Sequence, residues 1–219
     1  MNAMRKMIWD LPTRLLHWLL VALVALQYAS AQFHWLDMQW HIYVGYAILT
    51  LLLFRIAWGV LGSESARFSS FVRGPRAVRS FLRDWRRRQA PLQRSHNPIG
   101  GWSVLLMLAL LLLLVLSGLA SSDDIDWQGP LAAQLADATI AWATHWHHRL
   151  GDALPWLIAL HVAGVIVHEW RGERVTAAMW HGRRDIVGDE PRRAPLSRAL
   201  VLALLSALAV YVLVRLAAG

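Results

Sequence analysis

Ten histidines and no cysteines define the metal-binding chemistry that is open to this chain of 219 residues. The absence of cysteine excludes disulfides, thiolate zinc sites, iron–sulfur clusters, cysteine nucleophiles and covalently attached c-type haem. Four histidines, His17, His41, His147 and His161, lie inside long apolar segments. An ionisable side chain inside a membrane costs several kcal/mol unless it has a partner, so each of the four indicates a functional site.

The spacing of His147 and His161 is the most informative feature of this set. Fourteen residues of α-helix turn through about 1400°, which brings the second side chain to within about 40° of the first and ~21 Å further along the axis. Two ligands on one face, separated by most of a membrane thickness, suit two cofactors stacked across it. His148 is the alternative to His147, but its spacing leaves it about 140° away from the face of His161.

The segments that carry these histidines are long enough to cross a membrane. Hydrophobic residues make up 57% of the chain and charged residues only 16%, unlike a soluble domain. The apolar runs are continuous rather than alternating, so they predict helices and not a β-barrel. We therefore predict an all-α membrane protein with five spans, at roughly Leu15–Phe33, Trp40–Leu61, Trp102–Ala120, Ile140–Val167 and Ala199–Leu216.

Basic residues set the orientation of these spans. Of the 22 lysines and arginines, 19 lie before the first span, between the second and third spans, or between the fourth and fifth spans. The loops 30–39 and 121–139 contain none and carry aspartates instead. The positive-inside rule therefore predicts a cytoplasmic N-terminus and a C-terminus outside. Because topology explains the net charge of +8, we expect no nucleic acid partner.

The N-terminal segment has a second interpretation. Arg5 and Lys6, the apolar run that follows them and Ala29–Ala31 imitate a signal peptide with its cleavage site. Cleavage would remove His17 from an otherwise consistent set of ligands, so the membrane span is the preferred interpretation.

A basic segment between the second and third spans predicts a surface helix. The stretch RAVRSFLRDWRRR at Arg76–Arg88 places Val78, Phe81, Leu82 and Trp85 on one helical face. A basic amphipathic helix of this kind suits the surface of an anionic membrane leaflet. A solvated basic loop is the alternative interpretation.

Depth in the membrane pairs the four intramembrane histidines. His17 and His161 lie towards the cytoplasmic ends of their spans, whereas His41 and His147 lie towards the outer ends. Two levels with two imidazoles each are what two bis-histidyl b-type haems require. Interhelical hydrogen bonds or a proton relay are the alternative, and they explain one intramembrane histidine better than two matched pairs. The other histidines are expected to have ordinary polar roles in loops or interfaces: His34, His96, His145, His168 and His181.

Two arginines are candidate partners for haem propionates. Arg55 interrupts an apolar run about 21 Å by helix rise inward of His41, level with the inner pair of histidines. Arg149 lies beside His147 on the outer half, where basic residues are rare. A carboxylate partner would satisfy each guanidinium, and snorkelling to lipid headgroups is the alternative for both.

Six motifs between Trp9 and Gly182 are weak singly and specific together. They are WDLPTRLLHW at Trp9–Trp18, HxxxGY at His41–Tyr46, FRIAWG at Phe54–Gly59, FVRGP at Phe71–Pro75, HNPIGGW at His96–Trp102 and LHVAGV at Leu160–Val165. With these motifs the chain resembles the bacterial cytochrome b561 superfamily, in the branch related to the cytochrome b subunit of nickel-dependent hydrogenases.

The resemblance implies a four-helix transmembrane bundle that holds two non-covalent haems b, with the fifth C-terminal helix as an addition. It makes histidines of the first, second and fourth helices the ligands, which by position are His17, His41, His147 and His161. Their depth then assigns His17 and His161 to the iron of the cytoplasmic-side haem, and His41 and His147 to the iron of the periplasmic-side haem. It also makes His148 a non-ligand.

Two regions follow from the extent of the resemblance. We expect a di-haem domain over residues 1–182, and a cytoplasmic linker with the additional helix over residues 183–219. The location implied is a bacterial inner membrane, with the C-terminus in the periplasm.

Electron transfer across that membrane is the function that the resemblance implies. The partners would be membrane lipid, quinone, and a periplasmic hydrogenase or c-type cytochrome, and the acidic outer loop Ser121–Asp137 would attract a basic partner. A related branch oxidises superoxide at the outer face, but acidic outer loops oppose the steering of an anion. A haem-free channel, transporter or membrane anchor is the other alternative.

Overall fold

The structure of the protein is a computed structural model that describes residues 4–33, 37–87, 96–186 and 189–217. Helices account for most of these residues. They are α1 (Leu11–Phe33), α2 (Met38–Leu61), α3 (Phe68–Phe71), α4 (Pro75–Arg86), α5 (Pro98–Leu119), α6 (Asp137–Trp170), α7 (Val175–His181) and α8 (Leu196–Ala217). Two strands, β1 (Met4–Met7) and β2 (Arg183–Ile186), and two short 3₁₀ segments, Glu64–Ala66 and Ala132–Gln134, complete them.

Within these ranges, five helices are long and apolar enough to cross a membrane, namely α1, α2, α5, α6 and α8. They coincide with the five predicted spans and confirm the all-α membrane class. Large apolar side chains remain on their outward faces, such as Trp156, which is 80% exposed, and Leu204, which is 70% exposed. Helix α6 has 34 residues and contains Pro155, and at about 51 Å it exceeds the thickness of the hydrocarbon core.

The chain divides into two compact units. The first unit comprises Met1–Leu15, Arg55–Leu106 and Leu160–Leu200, and the second comprises Leu16–Phe54, Met107–Ala159 and Val201–Gly219.

Apolar packing between helices forms the core of the second unit. One cluster joins α1, α2, α5 and α6 through the buried residues Val24, Ile48, Leu52, Leu111 and Leu154. In a second cluster, Val210 of α8 packs with Leu49 of α2 and Leu119 of α5. The C-terminal helix therefore packs on the helices that precede it in the sequence.

A buried carboxylate in the first unit fixes the start of α1. Asp10 Oδ1 accepts a hydrogen bond from the backbone N–H of Thr13 at 2.9 Å, which is a helix N-cap contact. Its Oδ2 accepts a second bond from Trp58 Nε1 at 3.1 Å, and the side chain of Trp58 is fully buried. Pro12 fits the first turn because its position needs no N–H partner. Asp10 thus links the first turn of α1 to α2.

A two-stranded antiparallel ribbon in the first unit joins β1 to β2, with Met4 opposite Ile186. The sequence did not indicate it, because MRKM and RRDI lack the alternation of apolar and polar residues that marks a strand. Gly182 precedes the ribbon with φ 82°, and its carbonyl accepts the N–H groups of Ile8 and Trp9 at 2.7 and 3.1 Å. A Cβ at this glycine would collide with the Trp9 carbonyl, so the close approach requires glycine.

The predicted amphipathic helix is confirmed as α4. It begins at Pro75, which suits the first helical position, and Arg87 forms its C-cap. The side chain of Phe81 is buried, and those of its apolar neighbours on the same face are half-buried. Arg88, the last residue of the predicted helix, lies outside the described residues.

Candidate functional site

Two of the predicted ligands, His41 of α2 and His147 of α6, lie next to each other in the second unit. Their ring centroids are 6.2 Å apart, and the ring planes are inclined by 78°. A metal held between two imidazoles by metal–nitrogen bonds of about 2 Å separates the ring centroids by roughly 6 Å. Both side chains are half-buried. The spacing of the pair therefore fits one metal ion, including a haem iron, between the two rings.

The backbone of α5 fixes the orientation of the His147 ring. Its Nδ1 lies 2.9 Å from the carbonyl oxygen of Leu114. Because a carbonyl only accepts, Nδ1 carries the proton and donates it, which leaves Nε2 as the nitrogen with a free lone pair. Metal-binding histidines are usually oriented in this way by their second nitrogen. The contact therefore prepares His147 as an Nε2 ligand.

Gly118 of α5 makes room for the same ring. A Cβ at this position would lie 2.8 Å from His147 Cε1, a separation that Cβ atoms in proteins essentially never show, and 3.0 Å from Nδ1. The sequence analysis missed this residue. The signal that could have found it is a glycine in the last turn of an otherwise leucine-rich helix.

Open space lies at two glycines that follow the histidines of the pair by one helical turn. Gly45 follows His41 by one helical turn and Gly151 follows His147 by one turn, so each glycine shares a face with its histidine. A Cβ at either glycine would meet nothing within 4 Å. A flat macrocycle bound between the histidines needs such space, and the residues present fit a haem.

The other two predicted ligands are described individually. His17 of α1 is half-buried, and its ring centroid is 5.1 Å from that of Trp18. His161 of α6 is also half-buried, and a Cβ at Gly164, one turn later, would meet nothing within 4 Å. The pairing of His17 with His161 remains a prediction from their depth.

Exposure separates the neighbouring histidines of α6 from His147. His148 and His145 are exposed, although the ring of His148 lies 6.1 Å from that of His147. His147 therefore differs from His148 in its burial and in its bond to α5, and the choice between them as ligand stays a prediction. The ring of His96 packs near Trp9, at 4.7 Å, and His34 lies outside the described residues.

His168 belongs to a polar chain in the first unit. Asn97 Oδ1 accepts two backbone N–H groups of the first turn of α5, so its Nδ2 faces His168 Nε2 at 3.0 Å. His168 Nδ1 lies 2.9 Å from Glu173 Oε1, and Glu173 also pairs with Arg184 at 2.7 Å. The hydrogen bond from His168, followed by its charge and that of Arg184, lowers the pKa of Glu173 against the effect of burial. This is the ordinary polar role expected for His168.

Arg55 lies in the first unit and is 5% exposed. Its guanidinium donates to the Ala66 carbonyl at 3.3 Å and lies 5.0 Å from the ring centroid of Phe68. The carboxylate of Asp10 is close enough to interact with it electrostatically. Groups of the protein therefore surround the Arg55 guanidinium, which is an alternative to snorkelling towards lipid headgroups. Arg149 is exposed on α6.

The acidic loop that follows α5 is anchored one turn from the His41–His147 pair. Asp123 Oδ1 accepts the backbone N–H groups of residues 125–127 at 2.8 to 3.1 Å, and these bonds, chiefly that from residue 127, lower the pKa of Asp123. The backbone N–H of Ser122 donates to the hydroxyl of Thr144, three residues before His147. The loop therefore holds negative charge beside α6 in the second unit.

The sequence matches the family model of prokaryotic cytochrome b561 over residues 8–182. The match covers well over half of the 219 residues. The chain belongs to the prokaryotic cytochrome b561 family. No curated protein matches it. Cytochromes b561 are helical membrane bundles that bind haem b and transfer electrons. This chain is therefore a multi-pass bacterial membrane protein that functions in electron transfer with haem b.

The cytochrome b561 match contains all six motifs, the last of which ends at Val165, and it ends at Gly182, before α8. Across the described ranges, no three His, Cys, Asp or Glu side chains come together as a metal site. A haem iron needs only two axial ligands from the protein, since the macrocycle supplies the other four. The His41–His147 pair supplies that number of imidazoles, and its role as an axial pair stays a prediction.

Proposed function

We propose that this cytochrome b561 is a di-haem electron carrier of the bacterial inner membrane. His41 and His147 bind the iron of the periplasmic-side haem, and His17 and His161 bind the iron of the cytoplasmic-side haem. The observation that carries the proposal is the 6.2 Å separation of the His41 and His147 rings, together with the bond that orients His147. The di-haem domain spans residues 1–182, and residues 183–219 form the cytoplasmic linker and the added helix.

The protein contributes ligation, orientation and exclusion of water at the site. Bound haem supplies one-electron redox chemistry. The Leu114 carbonyl keeps the proton of His147 on Nδ1, which presents Nε2 as the ligand. The apolar cluster around Leu52 keeps the interior of the second unit dry. Arg55 and Arg149 remain our candidates to neutralise propionates, because a guanidinium binds a carboxylate by charge-assisted hydrogen bonds.

Two haems at opposite faces connect a periplasmic partner with quinone in the lipid phase. A hydrogenase or c-type cytochrome is the periplasmic partner that we propose. The fixed acidic loop at Asp123 supports docking of a partner with a basic surface, since complementary charge steers association. The same negative charge disfavours superoxide as the substrate at the outer face.

We expect the purified protein to contain two haems b per chain. A pyridine haemochrome assay measures the stoichiometry, and a value below about 1.5 per chain would contradict the di-haem proposal. After reduction with dithionite and removal of the excess, a short-chain ubiquinone or menaquinone should reoxidise both haems. If a basic c-type cytochrome reoxidises the haems but a quinone does not, the proposal of electron transfer stands and quinone is rejected as a partner.

Orientation is tested separately by fusion to alkaline phosphatase, which is active only when exported. Truncation and fusion after Gly129 should give an active reporter, because the surrounding loop has no lysine or arginine. A matched fusion after Arg174, in the basic segment that follows α6, should be inactive. The reverse pattern of activity would overturn the proposed topology.

A further inference from the structure

The arginines of α4, together with Arg87 at its C-cap, form one continuous face. At 100° per residue, five of them fall within an arc of about 100°, opposite the side that carries the buried ring of Phe81. All five are exposed: Arg76, Arg79, Arg83, Arg86 and Arg87. We call them the arginine face. None of them is among the histidines and arginines of the proposed haem sites, and nothing in electron transfer explains them.

Long side chains of this face enclose a shallow cleft of about 340 Å³. Its lining consists of Arg79, Leu82, Arg83, Arg86 and Arg87. The acidic residue of α4, Asp84, contacts Arg83 Nε at 3.2 Å, so a single carboxylate offsets only part of the positive charge of the arginine face. The excess of positive charge calls for an anion, and arginine forks match the oxygens of a phosphate. Leu82 adds an apolar wall to the cleft.

Contacts at both ends place α4 where two spans leave the membrane. Near its start, the carbonyl of Arg73 accepts a hydrogen bond from Trp102 Nε1, in the first turns of α5, at 2.9 Å. Near its end, the carbonyl of Trp85 accepts a bond from Arg171, which directly follows α6, at 2.8 Å. The same guanidinium lies 3.5 Å from the ring centroid of Trp85. Tryptophans and arginines in these positions are typical of the headgroup region.

We propose that the cleft of the arginine face binds the phosphate headgroup of an anionic phospholipid, such as phosphatidylglycerol. The charge of the cleft selects an anion, the leucine wall suits the adjoining glycerol and acyl region, and the contacts with α5 and α6 hold α4 at headgroup level. A free phosphate would use the same guanidinium groups but not the apolar wall. An RNA is disfavoured because the apolar side of α4 is already packed against the protein and cannot contact its bases.

The test uses the full-length protein in detergent, titrated with phosphatidylglycerol or phosphatidylcholine and followed by native mass spectrometry. The triple variant Arg79→Gln/Arg83→Gln/Arg86→Gln should bind phosphatidylglycerol at least about tenfold more weakly, because each headgroup-level arginine contributes attraction to anionic lipid. Its weak binding of phosphatidylcholine should not change. The control Arg174→Gln/Arg192→Gln/Arg193→Gln removes three exposed arginines elsewhere in the first unit and should shift the affinity less than about twofold.

Equal loss in the two triple variants would show a diffuse charge effect and overturn the site. Displacement of the lipid by inorganic phosphate at the same concentration would reassign the cleft to free phosphate. Tight binding of a short RNA, without binding of phosphatidylglycerol, would likewise overturn it. If the triple variant does not fold, the salt dependence of lipid binding by the wild-type protein tests the proposal instead. Salt should screen the arginines and weaken phosphatidylglycerol binding, while phosphatidylcholine binding stays unchanged. Insensitivity to salt would reject the proposal.

Discussion

Replacing both His41 and His147 with alanine should leave a protein that binds one haem b instead of two. The rings of these histidines are 6.2 Å apart, so the double variant removes both axial ligands of one proposed iron. The proposed ligands of the other haem stay in place, because His161 lies ~21 Å further along the helix than His147. A pyridine haemochrome assay gives the stoichiometry, and reduced-minus-oxidised spectra show whether the remaining haem is still low-spin.

The crossed variant His17→Ala/His147→Ala should damage both haems, because it takes one ligand from each level. The variants His148→Ala and His145→Ala serve as matched controls on α6 and should keep two haems, since both side chains are exposed. An intact low-spin haem in the crossed variant would contradict the pairing. A haem lost with His148→Ala and kept with His147→Ala would show that the wrong neighbour had been chosen.

Helical periodicity explains why so much of this site could be predicted from the sequence. The apolar runs determine where the spans lie, and a histidine's distance from the end of its span determines its depth. Residues at similar depth on neighbouring helices can meet, as His41 and His147 do. Pairing by depth needs no knowledge of which helices are adjacent, provided that each level holds only two candidates.

The groups that orient the ligand could not be predicted in this way. The acceptor for His147 is the backbone carbonyl of Leu114, which every residue has and which therefore leaves no mark on the sequence. Gly118 is needed because α5 and α6 approach closely at that point, and such an approach depends on the packed structure. The ribbon that begins at Met4 could not be predicted for the same reason, since it depends on pairing with a strand that is far away in the chain.

Arg55 shows how a correct observation about sequence can have more than one structural cause. A lone arginine in an apolar run requires a partner, and a propionate was the expected one. The structure supplies the Ala66 carbonyl, the Phe68 ring and the nearby charge of Asp10. Sequence patterns indicate that a buried charge must be compensated, but they do not identify the compensating group.

A single methyl group at Gly118 should cost the protein its periplasmic-side haem. In Gly118→Ala the new Cβ would lie 2.8 Å from His147 Cε1, so either the ring or α5 must move. A shifted ring loses its bond to Leu114 and the position from which Nε2 can reach the iron. Alanine is favoured over glycine inside a helix by about 1 kcal/mol, so backbone propensity alone predicts a stabilised protein. Haem stoichiometry should nevertheless fall from two to about one per chain.

Gly74→Ala is the matched control, because a Cβ at that position would meet nothing within 4 Å and its backbone has negative φ. This variant should keep two haems with unchanged spectra, which excludes a general effect of removing glycine. The double variant Gly118→Ala/His147→Ala adds a second check, since without the imidazole ring the clash disappears. Its haem content should equal that of His147→Ala alone, as expected for two changes that act on one contact. Two intact low-spin haems in Gly118→Ala would show that His147 is not a ligand in the orientation that α5 imposes.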